Sequence, residues 1–262
     1  MNPSKAGTVA SRNCVVSGAA SGIGAAVRRK LLAQGHTVLG IDVRGAEILA
    51  DLSRTADRQR AITELLKLSD ERIDALVLCA GVAAYQPSTV SVNFFGTVDL
   101  LCGLLPALKR STTPRAVVVS SFAALFEANP AVIQACLDGD EAAALRLSEG
   151  DGVKTYVSSK AALTRWCRRI ATTREWAGAG VLLNVVSPGI VDTPMMHEKI
   201  RDPNYFAALT AQMPLATGRV ASPEDIAETL CFLASPANAA IVGQVLYVDG
   251  GSEAAVRGDT VW

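Results

Sequence analysis

Residues 13–24, Asn-Cys-Val-Val-Ser-Gly-Ala-Ala-Ser-Gly-Ile-Gly, constrain the fold of this chain more than any others. The run at 13–17 reads as a short buried strand and leads without a spacer into Gly18, Gly22 and Gly24. Residues 25–34 carry a helical pattern that Gly35 stops, and 37–42 (Thr-Val-Leu-Gly-Ile-Asp) reads as a second strand. Strand, glycine-rich turn, helix and strand form a βαβ unit whose helix N-terminus suits a pyrophosphate, with glycines where a side chain would hold the backbone off the anion. Three glycines suit a plain strand-to-helix turn as well, and Gly18-x-x-x-Gly22-x-Gly24 departs from the commonest G-x-G-x-x-G spacing. Asp42 adds the second half of the signal. It ends the second strand about 20 residues past the turn, where a carboxylate meets the ribose hydroxyls of a dinucleotide.

Beyond that unit the alternation continues. A short extended piece at 50–53 precedes an amphipathic helix over 55–68, and 73–79 is a nearly continuous apolar strand ending in Ala80-Gly81. A long helix is predicted over 90–108, carrying Asn93 and interrupted at Gly96 and Gly103. The strand at 116–121 ends in Ser120 and Ser121. Residues 122–151, rich in Ala, Leu and Glu, read as an extra helical insertion, and a helix then runs from Tyr156 to about Trp176. A strand at 181–186 closes on Ser187-Pro188-Gly189, and 193–216 reads as irregular, with prolines at 194, 203 and 214. Ser222, Pro223, Glu224 and Asp225 start a helix to Ala234, and 244–249 is a last strand before Gly250-Gly251. The pattern predicts α/β architecture: a doubly wound, Rossmann-type parallel sheet in a single domain over 1–262, with no repeat and no linker.

Half of the residues are hydrophobic, enough for one large core, and 25 basic residues balance 25 acidic ones, so no nucleic-acid footprint is visible. Residues 1–13 are polar, without the apolar segment of a signal peptide, and no uninterrupted apolar run reaches membrane-spanning length. Six scattered cysteines form no C-x-x-C pair, and His36 and His197 have no ligand-spaced neighbours. The expectation is a soluble, reduced, cytoplasmic protein without a metal site.

Tyr156 and Lys160 lie four positions apart in a helical run and would share one face. A free phenol has a pKa of about 10, and bringing it near neutrality needs roughly 4 kcal/mol. A cation about 4 Å away at an effective dielectric near 20 supplies that much. Tyr-x-x-x-Lys alone also arises by chance, as an exposed aromatic and a solvated lysine.

Taken together, these pieces resemble the short-chain dehydrogenase/reductase family over essentially the whole chain. Ser17-Gly-Ala-Ala-Ser-Gly-Ile-Gly24 is similar to T-G-x-x-x-G-I-G, and Cys79-Ala80-Gly81 to the N-A-G turn. Asn93, Ser121, Tyr156 and Lys160 fall where the family carries its tetrad, and Pro188-Gly189 and Asp249-Gly250-Gly251 match later landmarks. Residues 41–53, 76–81 and the insertion before Tyr156 are similar to the bacterial 3α-hydroxysteroid dehydrogenase/carbonyl reductase branch.

The resemblance implies hydride transfer between a nicotinamide and a secondary alcohol or ketone, with a 3α-hydroxysteroid or similar hydrophobic carbonyl compound as substrate. Tyr156 would exchange the proton, Lys160 would lower the phenol pKa and hold the nicotinamide ribose, and Ser121 would donate to the substrate oxygen. Asn93 would hold a water, or simply kink its helix. Ser121 is chosen over Ser120 because alternation sends neighbours to opposite faces. The implied cofactor site comprises Gly18, Ser21, Gly22, Ile23, Gly24, Asp42, Asp51, Leu52, Ala80, Gly81, Tyr156, Lys160, Pro188, Gly189, Val191 and Thr193. Asp42 would repel the 2′-phosphate of NADP, so NAD is expected, although Arg44 lies two residues on. Residues 193–218 form the expected substrate loop, with Met195, Met196, Tyr205, Phe206, Leu209, Met213 and Leu215 as an adaptable apolar lining. A homo-oligomer is expected, a tetramer or, if 122–151 covers the family's tetramer face, a dimer. Alternatives are a broad carbonyl, alcohol or diol dehydrogenase, and a dinucleotide-binding regulator without catalysis.

Overall fold

Seven short segments become the strands of one parallel sheet in the computed structural model, which describes residues 10–259. Of the polar leading stretch, positions up to 9 lie outside the described residues. The strands are β1 (Asn13–Ser17), β2 (Thr37–Asp42), β3 (Ile48–Leu49), β4 (Ala75–Leu78), β5 (Arg115–Val119), β6 (Leu182–Pro188) and β7 (Val245–Val248). They pair in the order β3-β2-β1-β4-β5-β6-β7, each neighbour parallel. The helices are α1 (Gly22–Ala33), α2 (Thr55–Leu68), α3 (Ser88–Val90), α4 (Thr97–Leu108), α5 (Pro130–Leu137), α6 (Glu141–Leu147), α7 (Val153–Ala171), α8 (His197–Arg201), α9 (Pro203–Gln212), α10 (Pro223–Leu233) and α11 (Ser252–Arg257).

Successive strand residues feed two separate cores. Val16, Val77 and Val117 pack with α1 and α10, whereas Val15, Leu76 and Val118 pack with α2, α4 and α7. Both faces are covered, so β4 and β5 are buried throughout and read as apolar runs, broken only by Arg115 at the start of β5. The strand order reverses at β1, between β2 and β4, which opens a crevice outside the carboxyl ends of the strands.

Several local expectations change. Gly96 and Gly103 do not interrupt the long helix; they let it approach its neighbours. A β-carbon at Gly96 would lie 2.8 Å from Leu52 Cβ, and one at Gly103 2.6 Å from Ile62 Cδ1. The irregularity is instead a π-helical turn over Ser91–Gly96, at Asn93. By length and composition the helical run Ser88–Leu108 could cross a membrane, although Asn93 and Asp99 interrupt its apolar stretch. Its apolar surface serves the core: 67% of its most apolar stretch is buried inside the fold. The Tyr156 helix ends at Ala171, and Trp176 folds back into the core, 3% exposed. Residues 193–216 are not irregular but hold α8 and α9. Asp202 caps α9 by accepting hydrogen bonds from the Asn204 and Tyr205 amides at 2.9 and 3.3 Å, with Pro203 in the first turn.

The insertion is helical, as expected, with a 3-10 turn over Phe122–Leu125 followed by α5 and α6. Val132, Ile133 and Cys136 of α5 join the core beside Ala161 and Ala162 of α7. The buried Arg58 ties α6 to α2 and α4: its guanidinium donates to Glu141 at 2.6 Å and Asp99 at 2.9 Å, while Nε donates to the Leu52 carbonyl at 2.8 Å.

Candidate active site

One pocket of about 330 Å³ collects the carboxyl ends of the strands. Each of the sixteen residues assigned to the cofactor from sequence lines it, as does Ser121. Its first end is the turn between β1 and α1. No side chain caps α1, and the first helical bond recorded there runs from the Ala25 amide to the Ser21 carbonyl. The Gly22, Ile23 and Gly24 amides therefore stand at the positive end of a twelve-residue helix, lining the pocket. The glycines are required by geometry. Gly22 adopts φ +51°, and a β-carbon at Gly24 would sit 2.1 Å from the Gly18 carbonyl oxygen. Asp42 faces this turn, its Oδ2 accepting from the Ala20 amide at 3.0 Å. Arg44 is exposed and is not among the lining residues. An anion cradle beside a carboxylate fits a dinucleotide whose phosphates meet the helix and whose ribose meets the acid.

The pocket floor is the turn after β4. Ser17 Oγ accepts from the Ala80 amide at 3.1 Å, so a strand hydroxyl braces the turn that carries Cys79. Burial raises the Cys79 thiol pKa, which leaves it protonated and unreactive.

Ser121, Tyr156 and Lys160 meet at the far end. Ser121 lies beyond β5 and begins the 3-10 turn; its Oγ accepts from the Ala123 amide at 3.1 Å, which leaves its proton for the Tyr156 phenol. The choice of Ser121 agrees with this geometry, because Ser120 is spent elsewhere: its hydroxyl meets the Lys160 carbonyl at 3.2 Å and Thr164 Oγ1 at 2.7 Å. Lys160 is 3% exposed, and Nζ donates to the Val119 carbonyl at 2.9 Å. Burial lowers its pKa from 10.5 to about 8.

The expected acidification of Tyr156 by Lys160 is not what the geometry gives. Burial raises the phenol pKa, and the group that opposes it is the Ser121 hydroxyl. The lysine ammonium is directed at the strand carbonyl and the Gly81 backbone, where a β-carbon would lie 3.2 Å from Nζ and 3.3 Å from Asn93 Oδ1.

Asn93 lies behind the wall rather than on it. Its Oδ1 accepts from the Val82 amide at 2.8 Å, and Nδ2 donates to the Val82 carbonyl and to Ser159 Oγ, both at 3.0 Å. The amide thus clamps the turn after β4 onto α7. Sequence reasoning missed Ile41, Val43, Val82, Val92 and Val119 among the lining residues; most are neighbours of a strand end or of an assigned residue, which was the available signal. Met195 and Met196 do line the pocket, but Tyr205 and Phe206 do not, and neither do Leu209, Met213 and Leu215. Those three pack with Phe122, Ile190 and Phe126 in a third apolar cluster beneath the loop.

A family model described as enoyl-(acyl carrier protein) reductase matches residues 18–253. Over 253 residues the chain is 40% identical to the 3-alpha-hydroxysteroid dehydrogenase/carbonyl reductase of Comamonas testosteroni, covering 93% of this chain and 97% of that protein. It is 31% identical to the cis-4-hydroxycyclohexanecarboxylate dehydrogenase of Sinomonas cyclohexanicum, covering 92% and 96%. The crystal structure of the 3-alpha-hydroxysteroid dehydrogenase from Pseudomonas sp. B-0831, complexed with NADH, is similar with a TM-score of 0.87 at 41% identity, covering 95% of this chain and 99% of that one. Matches of this extent, over a sheet and a pocket of this form, carry one conclusion: the chain belongs to the short-chain dehydrogenase/reductase family and is an NAD(P)-dependent oxidoreductase acting on the CH–OH group of its substrate.

Proposed function

We propose that the protein interconverts a 3α-hydroxysteroid, or a similar hydrophobic secondary alcohol, with its ketone, using NAD rather than NADP. The observation that carries this reading is the meeting of Ser121, Tyr156 and Lys160 at one end of a pocket whose other end presents Asp42. Bound there, the dinucleotide supplies the hydride acceptor or donor. The chain's residues supply the rest. Tyr156, protonated at neutral pH because burial raises its pKa, holds the proton that a ketone oxygen needs. Ser121 donates a hydrogen bond to the same oxygen as charge develops on it. Lys160 would hold the ribose hydroxyls of the bound dinucleotide, and its pKa, lowered by burial to about 8, lets it pass a proton near that pH. Asn93 is a positioning residue, fixing Val82 and the Gly81 turn against which Lys160 rests.

For the cofactor, Asp42 disfavours a phosphate on the adenosine ribose, and no cation of the pocket wall offsets it there. For the substrate, Val82, Pro194, Met195 and Met196 provide an apolar wall, and the similar proteins named for 3-alpha-hydroxysteroids support the steroid class. We also propose a homodimer, since α5 packs on α7 and covers part of the helix face through which tetramers of this family are expected to form.

The test is a panel assay: 3α-hydroxysteroids, aromatic ketones and simple secondary alcohols, each with both cofactors. The expected result is highest kcat/KM on the steroids, about a hundredfold preference for NAD, and oxidation that keeps rising with pH without levelling off by about pH 10, because burial raises the Tyr156 phenol above its ordinary value. Parity between the cofactors, or turnover confined to small alcohols, contradicts the proposal.

A further inference from the structure

Three side chains beside the catalytic pocket are not used by the chemistry above. Lys199 of α8 places Nζ 3.3 Å from the Tyr85 hydroxyl, 5.1 Å from the Tyr85 ring centre and 5.8 Å from that of Tyr205. Tyr85 follows the Gly81 turn, and its ring hydroxyl is close enough to Tyr156 and Tyr205 to influence the ionisation of both phenols. Lys199 follows Met195 and Met196 of the pocket wall by a few residues. None of the three lines the pocket itself; the cluster lies outside it, within electrostatic reach of Tyr156 and a few residues along the chain from the wall formed by Met195 and Met196.

Its chemistry is specific. Lys199 is half-buried, and among the described residues no carboxylate lies within ion-pair distance of it. Asp202, the nearest acid on the C-terminal side, is occupied as the cap of α9. Aromatic faces attract an ammonium without neutralising it, and neither the neighbouring Glu198, which is exposed, nor Asp202 forms a salt bridge with it, so the charge is held in place without an ion-pair partner among the described residues. Tyr85 adopts φ +56°, a left-handed conformation that a bulky side chain rarely takes and that is found where a side chain must be aimed. Because the Tyr205 hydroxyl is hydrogen-bonded to Tyr85, the cluster offers a carboxylate one ionic and one neutral hydrogen-bond donor, the ammonium and the Tyr85 hydroxyl.

We propose that Tyr85, Lys199 and Tyr205 form a subsite for a carboxylate on the substrate, on the side away from the reacting carbon. This rests on the reading of Ser121, Tyr156 and Lys160 as the reacting end, and it narrows the substrate class to hydrophobic alcohols or ketones bearing an acid. Specificity then has two parts: the methionine wall accepts the ring system, and Lys199 selects the charged member of each acid and ester pair.

The experiment compares two such pairs: a 3α-hydroxysteroid carboxylic acid with its methyl ester, and cis-4-hydroxycyclohexanecarboxylate with its methyl ester. Wild type, Lys199→Met and Lys199→Glu are assayed for KM and kcat, and binding to the enzyme–NADH complex is followed by NADH fluorescence. Wild type is expected to favour the acid by about five- to tenfold in KM or binding, as one partly screened ion pair supports. In Lys199→Met the ratio falls to about one, and in Lys199→Glu the ester is preferred. The same acid-to-ester ratio in wild type and Lys199→Met, or no binding of any of the four compounds, overturns the subsite. If the cyclohexane pair shows the ratio while neither steroid binds nor reacts, the steroid assignment fails and the subsite stands.

Discussion

Lys160 is a charged side chain held almost wholly out of water. A lysine 3% exposed, with its pKa lowered from 10.5 to about 8, carries a desolvation cost of roughly 3 kcal/mol while it is charged. Because the folded pKa lies below the unfolded one, that cost is felt in full below about pH 8 and is relieved as the pH rises from about 8 toward 10.5. Lys160→Met is therefore expected to be about 2 kcal/mol more stable than wild type at pH 7, after the lost bond to the Val119 carbonyl is counted, and nearly inactive. Thermal melts of both proteins at pH 7 and pH 10 check this; the gap should narrow at the higher pH. A gap that widens, or a variant less stable at pH 7, contradicts the burial argument. At this scale the sequence made Tyr156, Lys160 and Ser121 visible through spacing and order, but not their electrostatics. Four positions on a helix place two side chains on one face; they do not say that the ammonium turns to a strand carbonyl while a serine from another element reaches the phenol. Tyr85 and Lys199 were invisible for a related reason, since a positive φ and a contact across 114 positions leave no periodic trace.

Among the elements, the insertion before the catalytic helix has the largest consequence. Its composition was legible as helical, and Asn129, whose side chain accepts from the Ala131 amide at 3.0 Å, starts α5 as a capping residue should. Its destination was not legible, because what seats it is a buried guanidinium some eighty residues earlier. Arg58 holds α6 through Glu141 and α4 through Asp99, and the same side chain bonds the Leu52 carbonyl next to the pocket wall. The proposed dimer follows from α5 lying on α7, and light scattering on the purified protein should give twice the chain mass; a tetramer contradicts it. The loop over 193–216 teaches the opposite lesson. Asp202-Pro203 carries the same start signal as Ser222-Pro223, yet the prolines at 194, 203 and 214 pointed away from helix. Its apolar residues divide between two tasks that hydrophobicity cannot separate: Met195 and Met196 face the pocket, and Met213 and Leu215 anchor the loop on Phe122 and Ile190.

For the molecule as a whole, the alternation of strands and helices was sufficient to predict a parallel, doubly wound sheet, because buried parallel strands leave unbroken apolar runs. Topology then brings residues from 18 to 196 to one edge, and no pairwise signal was needed once the strand ends were known. The central claim is that the phenol of Tyr156 exchanges the proton while the glycine turn and Asp42 hold the dinucleotide, two functions at opposite ends of one pocket. Tyr156→Phe separates them, so single-turnover oxidation and NAD binding by this variant form the most direct measurement. The prediction is a rate lowered by at least about a thousandfold with the NAD dissociation constant within about threefold of wild type. A rate within tenfold of wild type, or binding lost together with the rate, contradicts the account.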